Sequence, residues 1–104
     1  MREITDTTTG ETVLVDEASV NCVVDRRGKR HVELPERTCV VADPLESFRD
    51  WGFVLAVHGG PDVQEGYAIN PAAVASVEPS DGCVHVIFAR PGYDTRLVVR
   101  EYAP

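Results

Sequence analysis

Val20-Asn21-Cys22-Val23-Val24-Asp25-Arg26-Arg27-Gly28-Lys29-Arg30-His31-Val32-Glu33-Leu34 is the stretch from which the fold is read. Side chains alternate along a strand, so its first five residues put Val20, Cys22 and Val24 on one side and Asn21 on the other. Residues 25–30 form a polar turn with Gly28 at the centre. Residues 31–34 return, with Val32 and Leu34 on one side and His31 and Glu33 on the other. Two alternating runs around a glycine-bearing turn predict a β-hairpin with a basic tip.

Upstream, residues 12–15 read as a strand. Residues 1–11 read as a loose polar arm, with at most a short edge strand over 2–5. Downstream, residues 37–42 read as a strand. Asp43-Pro44-Leu45-Glu46 is then a helix-start signal, with Asp43 as cap, Pro44 at the first helical position and Glu46 completing a capping box. One short helix is expected over 44–51, stopped by Gly52. Residues 53–58 are apolar on both faces, which predicts a central strand. Gly59-Gly60-Pro61-Asp62 breaks the chain. Residues 67–69 read as a short strand, Asn70 as the cap of one helical turn, and 75–78 as extended. Residues 79–82 read as a turn, 83–89 as a strand, 90–94 as a Pro-Gly turn and 95–102 as the last strand.

Seven to nine short strands at spacings of about 8–12 residues predict one mainly β domain over 1–104, a compact antiparallel β-sandwich or small barrel with one short helix. Composition agrees. Valine occurs 17 times against 5 leucines and 3 isoleucines, and β-branched valine favours strands. Arginine outnumbers lysine nine to one. That bias, with abundant Ala, Val, Asp, Gly and Pro, is the mark of a high-GC genome, such as an actinobacterium or one of its phages. Residues 69–78 resemble a pattern of small bacterial β-proteins, a flagellar family among them, in which an Asn-Pro turn precedes a strand ending in an acid. This resemblance implies local structure only.

The net charge is −7. Such a surface repels nucleic acid, whose binding rests largely on phosphate neutralisation. Residues 25–37 run against this balance at +2, leaving −9 for the rest. No apolar run approaches the roughly 20 residues of a membrane span, and the first residues form no apolar leader. The expected location is the cytoplasm, or the virion if a phage encodes the chain. Three cysteines at wide spacings, Cys22, Cys39 and Cys83, read as reduced thiols.

Signals for chemistry are weak. Cys83 and His85 share one side of a strand, but no C-x-x-C pair accompanies them. The alternation sets Cys22 on the apolar face of its strand and His31 on the polar face of the next, which argues against a Cys22–His31–Cys39 cluster. His58-Gly59-Gly60 resembles the oxyanion loop of esterases, without the nucleophile elbow those enzymes need. No phosphate loop occurs. The reading is a non-enzymatic chain with no catalytic residues, metal or cofactor.

What remains is protein contact. Phe48 and Trp51 lie three apart on the expected helix, and Trp, Phe and Arg are the types that anchor interfaces. Arg26, Arg27, Lys29 and Arg30 give the hairpin tip its charge. These six are the candidate partner-binding residues. The expected function is a structural or assembly β-module that self-associates into a homo-oligomer. The alternative is a small acidic module that binds, or inhibits, another protein.

Overall fold

The structure is a computed structural model that describes residues 1–90 and 95–104. It is mainly β, built from antiparallel strands. The turn expected at 90–94 lies, apart from Arg90, outside the described residues.

The stretch that opened the reading forms β3 (Cys22–Arg26) and β4 (Lys29–Glu33), paired antiparallel with Val23 opposite Val32 and Arg26 opposite Lys29. That register leaves only Arg27 and Gly28 in the turn. Both adopt positive φ, 55° and 74°, as the right-handed twist of a two-residue hairpin requires. β5 (Thr38–Val41) joins the outer side of β4, while β7 (Glu65–Ile69) joins the other side of β3 and carries β6 (Val54–Val57) beyond it. The central sheet therefore runs β5-β4-β3-β7-β6.

Alternation along β3 feeds two separate cores. Val23 faces one side with Val32, Cys39, Val41 and Ala68. That side is covered by a hairpin of β1 (Arg2–Thr5) and β2 (Thr12–Val15) and by a 3-10 helix, Leu45–Trp51, whose contributions include Ile4, Val15 and Phe48. Cys22 and Val24 face the other side with Tyr67 and Ile69. They are covered by a three-stranded meander of β8 (Val74–Ser80), β9 (Cys83–Phe88) and β10 (Arg96–Val99), through Val86, Phe88, Leu97 and Val99. β3 is buried on both faces because apolar layers lie above and below it.

Four expectations change. Residues 1–11 are not a loose arm: Arg2–Thr5 pairs along its full length with Thr12–Val15, Ile4 is buried, and the Thr7 N–H donates to Val40 O at 2.8 Å. The apolar strand over 53–58 is not central. β6 ends the five-stranded sheet; its apolar faces pack on the two cores, Leu55 on one and Ala56 on the other, and just beyond it His58 bridges to Val99 and Gly59 N–H donates to Val98 O. The expected helix is a 3-10 segment that no side chain caps, Pro44 rather than Asp43 preceding its first turn. The Asp43 carbonyl accepts from Arg30. Lastly, β8 and β9 extend right up to their turn, leaving only Asp81-Gly82, again at positive φ. By contrast, Asn70 caps the turn Pro71–Ala73 as read, its side chain accepting from Ala72 N–H, and its amide also donates to Val20 O at 2.9 Å.

Candidate functional site

The basic hairpin tip divides its charges between internal and external use. Arg26 donates to Glu65 at 2.6 Å, and Tyr67 donates its hydroxyl to the other oxygen of that carboxylate at 2.9 Å. The Arg26 bond is the main reason the Glu65 carboxyl is held below its ordinary range. Arg30 donates to three backbone carbonyls, Gly28 at 2.7 Å and Ala42 and Asp43 at 2.9 Å. Its fork of donors ties the chain after β5 to the hairpin. Arg26 and Arg30 thus hold the fold. Arg27 and Lys29 remain exposed, without an acid partner among the described residues.

Beside this tip lies an open cleft of about 480 Å3. β3 and its turn contribute Asp25 and Arg27, the region joining β6 to β7 contributes Val57, His58 and Val63, and the chain leaving β10 contributes Arg100. Arg100 is fixed there because its N–H donates to Val57 O at 3.0 Å. Val57 is 51% exposed and Val63 40%. His58 accepts on Nδ1 from Gly60 N–H at 2.8 Å, so its proton sits on Nε2. No signal in the sequence joined Arg100, Val57 and Val63 to the tip. They come from two other places in the chain, and the seam between sheets brings these together.

The two aromatic candidates pack inward to different degrees. Phe48 is buried in the core, so it offers no surface to a partner. Trp51 is half-buried, edge-on to Phe48 at 4.9 Å and to Phe53 at 5.5 Å. The Arg2 guanidinium lies 5.6 Å from its ring while donating to Asp50 O and Glu17. This cluster fastens the N-terminal hairpin to the 3-10 helix.

The thiols and imidazoles do not converge into a metal centre among the described residues. The structure corrects the face assignments read in the sequence. Val24 stands opposite His31, so Cys22 and His31 share a face of the sheet after all. It is Cys39, opposite Val32, that lies on the other face. Cys22 Sγ donates to the buried Glu33 at 3.3 Å. Cys83 donates to Ser80 O, and His85 Nδ1 accepts from Arg96 at 3.4 Å. At His58-Gly59-Gly60 both glycine N–H groups are spent inside the fold, on Val98 O and on His58 itself, so neither is aimed at an oxyanion.

No helix among the described residues is long and apolar enough to cross a membrane. A scan against protein-family models finds no match to this chain. Searches of curated proteins and of solved structures find none either.

Proposed function

We propose that this chain is a non-enzymatic assembly module that pairs with a second copy of itself through β8. The observation that carries the reading is the open outer edge of that strand. β8 is seven residues long, six of them are exposed, and it ends its sheet. This edge carries a single charge, Glu78, and its blunting devices, Pro79 and the bulge between Val74 and Ser76, sit toward its two ends and leave the middle open.

The register supports a specific pairing. The closing pair of a two-residue hairpin exchanges both backbone bonds, and here that pair is Ser80 and Cys83. Alternation then turns the Glu78 backbone toward β9 and the Val77 and Pro79 backbones outward. Pro79 fits, because proline is tolerated where its missing N–H would face away from the ladder. A two-fold axis through Val77 lets each Val77 N–H donate to the Val77 carbonyl of the other copy. Pro79 supplies an outward carbonyl but no donor, which limits the ladder to registers centred near Val77. The bulge between Val74 and Ser76 ends it on the other side.

Native mass spectrometry and sedimentation equilibrium over a concentration series test this. A dimer that grows with concentration is expected. Val77→Lys, which sets like charges across the axis, is expected to return the chain to monomer with its unfolding midpoint unchanged. A wild-type chain that stays monomeric at high micromolar concentration overturns the reading.

A second reading, a small acidic module that binds another protein, is favoured by the cleft beside the β3–β4 turn.

A further inference from the structure

We infer that the cleft between the β3–β4 turn and the end of β10 is a binding site for an acidic peptide segment, with Arg27 and Arg100 as its carboxylate ligands and Val57 and Val63 as its apolar floor. The inference is independent of whether copies pair through β8.

Three observations converge on this place. The first is charge. In a chain of net charge −7, two guanidinium groups from different sheets line one cleft, and neither has an acid partner among the described residues. Of the two acids in the lining, Asp25 and Glu65, the second is already engaged: Glu65 accepts from Arg26 and from Tyr67, one on each oxygen. A planar guanidinium presents paired donors that match a carboxylate.

The second is backbone conformation. Arg27 sits at φ 55° in the turn, in the left-handed region that bulky side chains avoid. Asparagine or glycine would occupy the position with less strain. Strain held at a surface turn is reason to ask what the side chain does there, and this one borders the cleft.

The third is apolar exposure. Val57 and Val63, two of the few large apolar side chains left exposed, flank the same space. Arg100 is pinned beside Val57 by its backbone bond. Cation and apolar surface are therefore adjacent, which suits a peptide that alternates acidic and apolar side chains.

The wall also sets a limit. Asp25 and Glu65 also border the cleft, and their charges disfavour a compact dianion such as phosphate, while carboxylates spaced along an extended peptide can meet Arg27 and Arg100 one at a time. His58 Nε2–H is a further donor within the lining.

The test uses the full chain, isotopically labelled, titrated with an acetylated Glu-Val-Glu-Val-Glu amide, with its Gln-Val-Gln-Val-Gln counterpart and with inorganic phosphate. Saturable shifts of the Arg27, Gly28, Val57, Val63 and Arg100 amides are expected with the glutamate peptide alone. Arg27→Asn and Arg100→Gln are each expected to weaken that binding about tenfold, the scale of one charge-assisted contact. Arg27→Asn keeps the turn, so loss of binding there is not loss of fold, and the unchanged spectrum elsewhere verifies this. The inference is overturned if the cleft amides do not move at low millimolar peptide, if the glutamine peptide binds as well, if phosphate binds as well, or if neither variant weakens binding.

Discussion

Arg27 shows how a single residue carries information that its neighbours conceal. The sequence made 25–30 a turn, and four basic residues there looked equivalent. The structure separates them by what each guanidinium or ammonium touches. Arg26 and Arg30 are committed to Glu65 and to three carbonyls, while Arg27 and Lys29 face water. Little local in the sequence marks that division, because apart from the Gly28 carbonyl the partners come from β7 and from the chain after β5. Arg27→Asn is expected to raise unfolding free energy by about 0.5–1 kcal/mol by relieving the left-handed strain. Urea unfolding with an unchanged denaturant slope checks it. Asp6 was equally invisible. It accepts from Thr8 Oγ1 at 2.6 Å and Thr8 N–H at 3.0 Å, and from Arg37 at 2.8 Å. These bonds, those from Thr8 foremost, lower its pKa from 3.8 to about 2. The folded value lies below the unfolded one, so the stabilisation is complete above the unfolded pKa and is lost as pH falls from 3.8 toward about 2. Asp6→Asn is expected to flatten the fall of the unfolding midpoint in that window, measured by thermal melts at a series of pH values.

At the scale of elements, period-two alternation found most of the strands, and turn chemistry found the Asn70 cap. It failed where a strand's surroundings are set by distant chain. β6 looks central because both faces are apolar, yet it is an end strand whose two faces meet the two cores, through Leu55 and Ala56. β8 looked shorter because Pro79 reads as a breaker, and an outward-facing edge is where a strand accepts proline. The N-terminal residues looked loose because only Ile4 is strongly apolar among them. They are held by Ile4, by Asp6 and by Arg2 laid against Trp51. The 3-10 helix was legible in position, while its cap was not: Pro44 holds the cap position and no side chain caps the first turn. Phe48→Ala is expected to cost about 3–5 kcal/mol, as for other buried aromatics. Trp51→Ala is expected to cost less, since part of that ring is already in water. Chemical denaturation of the two variants side by side checks the order.

The whole molecule is two cores on opposite faces of one sheet, with the third sheet attached along a short seam. Gly59 makes the seam close. A Cβ there would meet Cys83 Cβ at 3.0 Å, Val98 Cγ1 at 3.1 Å and the Val99 carbonyl at 3.3 Å. None of these is the free end of a long side chain. Gly59→Ala is therefore expected to destabilise by about 1–3 kcal/mol, the usual cost of overpacking, and calorimetry reads it directly. Charge acts at the same scale. Two copies at −7 each repel, so added salt is expected to tighten a β8-paired dimer by screening that repulsion; sedimentation at low and high ionic strength checks it. The placement of the three thiols gives the molecule a further property. Cys39 is sealed in one core and Cys22 in the other, while Cys83 is half-exposed at the seam. Burial also pushes the Cys39 thiol pKa up, keeping it unreactive while covered. A thiol reagent applied as a timed pulse thus reads the breathing of each layer separately. Cys39 becomes labelled when the N-terminal hairpin and 3-10 helix lift, and Cys22 when the meander swings away. The order in which the two masses appear reports which side of the central sheet opens first.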